Sequence, residues 1–334
     1  MAEKNEDEAY LCIINSNENL KKLTEAYQFN SSKKFKNIFY LKKLSSPIIE
    51  KISFKKSTLS NIKKIIYDIN PQEIFTGNDR RIEFQYAISL AKKKGECKGI
   101  YLDEGLYTYI SRSSAHSKES NAYRNFIKKI LYGFWWEDTN QMGQSNHIDK
   151  QIVFFPEFTN SSKNLTFFPK HFFKSTEFFF LCKKILKHYK LDAKILTSVK
   201  ILYTLPHEKL LSNNLDHLKF IQKKLKVLPK ECILAIKNHP RNKASAAEIL
   251  SLDNTHINIE PSVPFELLLP YLNHCYIIGD VSSTLLMCRI IRPDLTTISL
   301  SSDLADDYDS IGSIFRLMGV LTINQFPTFE ELQS

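Results

Sequence analysis

Short apolar runs alternate with longer stretches in which apolar residues recur every three to four positions, and this rhythm holds through most of the chain. In the first half, residues 10–14, 37–41, 73–76 and 98–102 predict strands. Between them, residues 17–27, 58–68 and 80–94 predict helices, the last rich in helix formers. Residues 121–136 predict a further helix, basic and aromatic, and 137–150 a polar, exposed loop. From 151 to 174 phenylalanines crowd between turn residues and no period dominates. After a predicted helix over 177–190 the rhythm resumes, with strands at 200–205, 232–237, 256–259, 276–279 and 296–300 and helices at 215–227, 245–252, 265–273 and 283–291.

Alternating strands and helices predict parallel sheets covered on both faces. Two such blocks separated by an irregular region predict an α/β protein of two doubly wound lobes with a cleft between them. The N-terminal lobe is expected over residues 1–195 and the C-terminal lobe over 196–320. Residues 321–334 are expected to form a tail whose last helix opens with Pro327 and acidic residues in its first turn. A length of 334 residues exceeds what one hydrophobic core usually serves, which agrees with two domains.

Composition narrows the class. With 43% apolar and 25% charged residues the chain is globular, and no apolar run approaches the ~20 residues of a membrane span. The polar, acidic N-terminal segment is not a signal peptide. Cys12, Cys97, Cys182, Cys232, Cys275 and Cys288 are scattered without a C-x-x-C, so reduced thiols in a cytoplasmic protein are expected rather than a disulfide framework or a zinc site. The 46 Lys and Arg against 36 Asp and Glu leave a formal charge of +10, which favours anionic partners: a glycan, a nucleotide, nucleic acid or the acidic face of a bilayer.

Three strand ends carry chemistry. In open α/β sheets ligands bind beyond the carboxyl ends of the strands. The first end, Gly99-Ile-Tyr-Leu-Asp-Glu-Gly105, leaves the sheet with Asp103 and Glu104, and Gly105 permits a sharp turn. Adjacent carboxylates point opposite ways from an extended chain, so one of them faces the cleft and can act as general base. The plainer alternative is that Asp103 caps the next helix and Glu104 is solvated. The second end, Lys237-Asn-His-Pro-Arg241, aims His239 out of the strand, because Pro240 biases it away from helical geometry. Lys237 and Arg241 would reinforce an anion site there. The third, Gly279-Asp-Val-Ser-Ser-Thr284, puts Ser282 and Ser283 at a helix N-terminus, where anions bind readily and where serine is also an ordinary cap. Glu266 begins another helix, where it can accept hydrogen bonds from ribose hydroxyls or equally be a routine acidic first-turn residue stabilised by the helix dipole. No H-E-x-x-H, G-x-x-x-x-G-K-[ST] or G-x-G-x-x-G is present, which removes support for the corresponding metal, P-loop and dinucleotide chemistries.

Together these motifs resemble the bacterial sialyltransferases, in particular the capsule polysialyltransferase family and its lipooligosaccharide-sialyltransferase relatives. The resemblance rests on a D/E-D/E-G triplet, a His-Pro, a helix-start glutamate and a paired hydroxyl motif in that order, over roughly residues 70–300. It implies a GT-B architecture of two Rossmann-like lobes facing a central cleft. It further implies an inverting transfer of sialic acid from CMP-sialic acid to a glycan hydroxyl, on capsular polysialic acid or lipooligosaccharide, with no metal and no cofactor beyond the donor. Asp103 would be the general base and His239 would bind the donor phosphate and help it leave. Ser282 and Ser283 would hold the same phosphate and Glu266 the ribose, with Glu104, Gly105, Lys237 and Pro240 around the substrates. An anionic glycan or glycolipid acceptor, the inner membrane surface and capsule-assembly proteins would be the partners, with the protein cytoplasmic or peripheral on that membrane. The predicted helix 121–136, with Arg124, Lys128, Lys129, Trp135 and Trp136, is the candidate for acceptor or membrane contact, against the plainer reading of a packed helix with a solvated basic face.

Two rivals make different demands. A CDP-alcohol phosphotransferase of wall-polymer type would carry a histidine in the first half where this chain has Asp103 and Glu104. A basic nucleic-acid-binding protein would interleave aromatic and basic residues on exposed faces, whereas the phenylalanines here sit mostly in runs such as Phe178-Phe-Phe-Leu181.

Overall fold

The computed structural model describes residues 8–15, 35–42, 48–110, 118–159, 161, 163–229, 231–252, 256–300 and 308–323. Two compact units divide the chain between Pro169 and Lys170, earlier than the predicted 195.

In the first unit β1 (Tyr10–Asn15) and β2 (Asn37–Lys42) pair in parallel as a sheet of their own. Then come α1 (Ile48–Ile69), β3 (Glu73–Thr76), α2 (Ile82–Lys94), β4 (Lys98–Leu102), α3 (Lys118–Tyr132), β5 (Lys150–Val153) and β6 (Asn164–Phe167). The parallel sheet they form has the order β3-β4-β5-β6. Phe84, Ile88 and Ala91 share one face of α2 and pack with Ile62 and Ile66 of α1 against Tyr101 of β4. Burial of each large aliphatic there stabilises the unit by about 1.5–3 kcal/mol. Lys92, Lys93 and Lys94 fall in the last turn of α2, where cations complement the helix dipole.

The phenylalanine-rich stretch supplies β5 and β6, and the lack of a period in β5 has a physical reason. Gln151, Ile152 and Val153 of β5 are all buried, and a strand covered on both faces reads as a continuous run without alternation. Residues 137–150 are not the expected exposed loop. Ser145 and Ile148 are buried, Ser145 N donates to Asp79 Oδ2 at 2.9 Å and Gln141 Nε2 donates to the Thr108 carbonyl at 2.6 Å.

The second unit contains α4 (Thr176–His188), α5 (Ala193–Thr197), β7 (Ile201–Thr204), α6 (Glu208–Ser212), α7 (Leu215–Lys226), β8 (Leu234–Lys237), α8 (Ala246–Leu250) and β9 (Ile257–Ile259). It ends with β10 (Tyr276–Gly279), α9 (Ser283–Ile291), β11 (Thr297–Leu300), α10 (Tyr308–Leu317) and β12 (Leu321–Ile323). Helix α4 belongs here because Phe178, Cys182, Ile185 and Leu186 are buried, and because Tyr189 just after it donates to the Ser262 carbonyl at 3.3 Å. These contacts draw the unit boundary back to residue 170. Of the apolar run in α4, Phe179 and Phe180 are exposed, unlike Phe178.

Six parallel strands lie in the order β12-β11-β10-β7-β8-β9. From β7 the chain winds outward through β8 and β9, then returns to the other side of β7 and winds outward again, which is the Rossmann order with its reversal between β7 and β10. Ile201, Tyr203, Ile236 and Ile278 form the sheet's contribution to a core closed by Ile221 and Leu225 of α7 and Ala246 and Leu250 around α8. Ser245 and Glu248 cap α8 reciprocally. The predicted helix 265–273 is instead two 3₁₀ turns, Phe265–Leu267 and Leu269–Tyr271, because Pro270 has no N–H to continue a helix. Leu321–Ile323 is an edge strand rather than the start of a tail. The helices expected over 17–27 and after Pro327 lie outside the described residues. All six cysteines are free thiols, and burial pushes Cys182 up to about 12 and Cys288 to about 11.

Candidate active site

The register of the six-stranded sheet puts Gly279, Thr204, Lys237 and Ile259 in one row at its carboxyl edge. With neighbouring strands ~4.8 Å apart, the ends of β10 and β8 stand ~10 Å from each other across β7. The reversal between β7 and β10 opens the crevice where such sheets bind ligands. A Cβ on Gly279 would lie 2.1 Å from Thr204 Oγ1, so glycine is what lets these two strands approach.

From β10 the chain enters α9 through Asp280, Val281 and Ser282. The Ser282 hydroxyl caps the helix, accepting from Thr284 N at 3.2 Å and lying 2.7 Å from Thr284 Oγ1, and Ser283 is the first helical residue. The dipole of this nine-residue helix favours an anion at its first turn. Just before the turn, buried Asp280 places Oδ1 2.9 Å from Nε2 of His217 on α7, which ties this loop to α7. Burial raises the Asp280 carboxyl above its usual range and the His217 hydrogen bond opposes that rise.

At the end of β8, His239 Nδ1 accepts from Arg241 N at 3.1 Å, so the neutral ring carries its proton on Nε2. At the end of β7, His207 caps α6 with its own Nδ1 on Lys209 N at 3.2 Å. The two rings meet edge to face with centroids 5.3 Å apart. Asn242 clasps the two loops: its Nδ2 donates to the Pro206 carbonyl at 3.0 Å and to Asn238 Oδ1 at 2.7 Å, and its Oδ1 accepts from Glu208 N at 2.9 Å. Burial first, then the neighbouring His207, Arg241 and Lys237, push His239 down to about 4. The imidazole is therefore neutral at neutral pH and offers Nε2–H as a donor. Because the unfolded chain binds a proton near the ordinary histidine value, His239 costs stability as pH falls from about 6.5 to about 4. Thermal melts between about pH 7 and about pH 5 should fall less steeply for His239→Ala than for the wild type; equal slopes would contradict the assignment.

In the first unit β4 ends against β5, with Asp103 N donating to the Ile152 carbonyl at 3.0 Å. The Asp103 carboxylate accepts four hydrogen bonds. Gly105 N and the Thr108 hydroxyl both donate to Oδ1 at 2.8 Å, Phe154 N donates to Oδ2 at 3.0 Å, and the Tyr109 hydroxyl donates to the same oxygen. Since Thr108 gives its proton to Asp103, Tyr101 donates to Thr108 Oγ1 at 2.8 Å, which completes a relay from the core of β4. Gly105 at φ 116° makes the turn that folds the loop back over the carboxylate. Burial raises the Asp103 carboxyl, opposed by the donors from Tyr109, Phe154, Thr108 and Gly105. Glu104 is exposed and lies over Gly77 at the end of β3, where a Cβ on that glycine would be 3.8 Å from its own Cβ. Partial desolvation raises its carboxyl and Arg81 pulls it down. Among the described residues no three His, Cys, Asp or Glu side chains are disposed to hold a metal ion.

The alpha-2,8-polysialyltransferase family model matches residues 1–301. The chain belongs to that family. Membership makes it a glycosyltransferase of the sialyltransferase kind, with a nucleotide-sugar donor and a glycan acceptor. No curated protein matches the sequence. Among solved structures, the UDP-GlcNAc 2-epimerase of Neisseria meningitidis bound to UDP-GlcNAc is similar at 14% identity over 98% of this chain and 91% of that one, with a TM-score of 0.50. The corresponding epimerase of Methanocaldococcus jannaschii aligns at 12% identity over 97% and 90%, with a TM-score of 0.47. With the two all-parallel α/β units described above, the Neisseria likeness makes the fold GT-B in type.

In this polysialyltransferase-family chain His239, Ser282 and Ser283 share one sheet edge, and Glu266 sits in the 3₁₀ turn after β9. Burial raises the Glu266 carboxyl. Pro240 is exposed, next to His239. Lys237 does not reinforce the anion site as expected. Its buried Nζ donates to the carbonyls of Pro261 at 2.8 Å and Asn238 at 3.2 Å, and burial lowers it to about 8. The strand-end position that suggested an anion ligand instead makes it a brace between β8 and the loop after β9. Sequence reading passed over His207, Asn242 and the His217–Asp280 pair. For His207 a signal existed, since Leu205-Pro-His207 follows a strand much as His239-Pro240 does. Asn242 offered none.

Proposed function

We propose that this chain transfers sialic acid from CMP-sialic acid to a hydroxyl of a sialylated glycan in one inverting displacement that needs no metal. The observation that carries the reading is the single sheet edge of a Rossmann-ordered unit, where a neutral histidine whose proton sits on Nε2 and a serine-capped helix N-terminus flank the crevice. CMP has one phosphate, so a histidine, hydroxyls and a helix end can do what a divalent cation does for a diphosphate.

In this reading the Nε2–H of neutral His239 donates a hydrogen bond to the phosphate oxygen and stabilises the charge that develops there as the bond from the sugar's anomeric carbon to that oxygen breaks, and CMP leaves as the anion. The acceptor oxygen forms the new bond to the anomeric carbon and loses its proton to Asp103. Ser282 and Ser283 hold the phosphate, Glu266 receives the ribose hydroxyls, and Glu104, Gly105 and Pro240 shape the surrounding loops. The first unit then serves the acceptor and the second the donor. A cytoplasmic position at the inner face of the membrane, with a growing capsular or lipooligosaccharide glycan as acceptor, fits the basic surplus.

Acceptor-dependent release of CMP from CMP-sialic acid in the presence of EDTA tests it. Release is expected with a sialylated oligosaccharide, and product length separates polymer growth from single transfer. Absence of release with any acceptor, together with no binding of CMP, would overturn the donor assignment.

A further inference from the structure

Helix α3 is mounted the wrong way round for a packed helix. Phe126, Ile127 and Ile130, with Phe134 just beyond its end, are 58%, 38%, 63% and 84% exposed. At 3.6 residues per turn the three helical ones fall within an arc of about 100°. The side that faces the protein is the more polar one. Asn125, Lys128 and Tyr132 are half-buried, and the Tyr132 ring lies 5.9 Å from the buried ring of Trp136. Lys128 Nζ sits 4.8 Å above that same indole and 3.3 Å from Asp138 Oδ2. A helix that only completed a core would bury its apolar face and expose the polar one.

We infer that this face is the docking surface for an anionic lipid bilayer. Lys129 borders the apolar arc on the Phe126 side, the margin from which a long cationic side chain reaches headgroups while the apolar face enters the acyl boundary. The formal charge of +10 adds a longer-range attraction to acidic lipid. A second copy of the chain would bring two lysine-edged faces of like charge together, and a polyanionic glycan has too little apolar surface to cover Phe126, Ile130 and Phe134. No helix among the described residues is long and apolar enough to cross a membrane, so α3 lies on the surface.

Flotation of the full chain with vesicles decides this. Binding to phosphatidylcholine containing phosphatidylglycerol should exceed binding to phosphatidylcholine alone by about tenfold or more. The double variant Ile130→Ser with Phe134→Ser, which keeps every charge and replaces only exposed side chains, should lose about tenfold in vesicle binding at an unchanged Tm. Lys129→Glu should weaken binding and flatten its salt dependence. Equal binding to both vesicles, wild-type binding by the double variant, or a dimer in light scattering that the double substitution breaks without touching vesicle binding would each overturn the inference. None of these residues lies at either strand-end site, so failure here would leave the transfer chemistry untouched.

Discussion

Replacing His239 by alanine is expected to lower sialyl transfer by about 10²–10³-fold, the usual contribution of one placed hydrogen-bond donor at a developing anion. The substitution removes the Nε2–H that would meet the phosphate and leaves the phosphate's leaving charge to the serine-capped turn alone. CMP should still bind, more weakly, because Ser282, Ser283 and the α9 amides are untouched. His207→Ala should cost far less, since that ring acts through its edge contact with His239 rather than on the phosphate. Single-turnover rates with CMP-sialic acid, read beside CMP affinity, separate these effects. A His239→Ala enzyme with wild-type turnover would remove the residue from the chemistry.

The second large effect concerns the two carboxylates. Asp103→Asn is expected to lose at least about 10²-fold in rate and to lower Tm, whereas Glu104→Gln should lose less than about fivefold and melt as the wild type does. The asymmetry follows from their surroundings. An asparagine at 103 presents an NH₂ to two of the four donors that the carboxylate accepts, and each backbone N–H left unpaired costs about 1–3 kcal/mol. A lowered Tm alone would therefore mark only a hub. The readout that marks a base is the acidic limb of the rate profile, which Asp103→Asn should abolish. Burial raises the Asp103 carboxyl, so that limb should lie above the ordinary aspartate range. If Glu104→Gln removes the limb and Asp103→Asn changes only stability, the exposed carboxylate takes the proton and Asp103 merely positions it.

Much of the fold was legible because parallel strands bounded by long helices write themselves plainly. Strands 73–76, 98–102 and 276–279 and the helix 283–291 match the structure residue for residue. What escaped was set by tertiary burial. Strand β5 is a central strand without alternation, and the loop holding Ser145 looks polar yet is pulled inward by the Asp79 carboxylate. The chemistry-bearing motifs were visible as strand ends, but their partners were not. His239 could be named from its proline, while its geometry depends on Asn242 reaching back to Pro206, a contact that no local pattern announces. Lys237 misled because a charge at a strand end looks available, and only the structure shows its Nζ spent on two carbonyls.

Every paired strand among the described residues runs parallel to its neighbour, which has a consequence for how the molecule is assembled. Parallel neighbours cannot form as a hairpin and must wait for a crossover to be made and docked. In the second unit β7, β8 and β9 are contiguous in the chain, so during synthesis one wing of the sheet, with both histidine loops clasped by Asn242, can close before β10 has emerged. The other wing then adds to the free edge of β7, bringing Gly279 against Thr204 and the serine turn with it. The crevice is thus the joint at which the two wings of the sheet meet. A chain arrested or truncated before Tyr276 would hold both histidines in place and still have half a binding site.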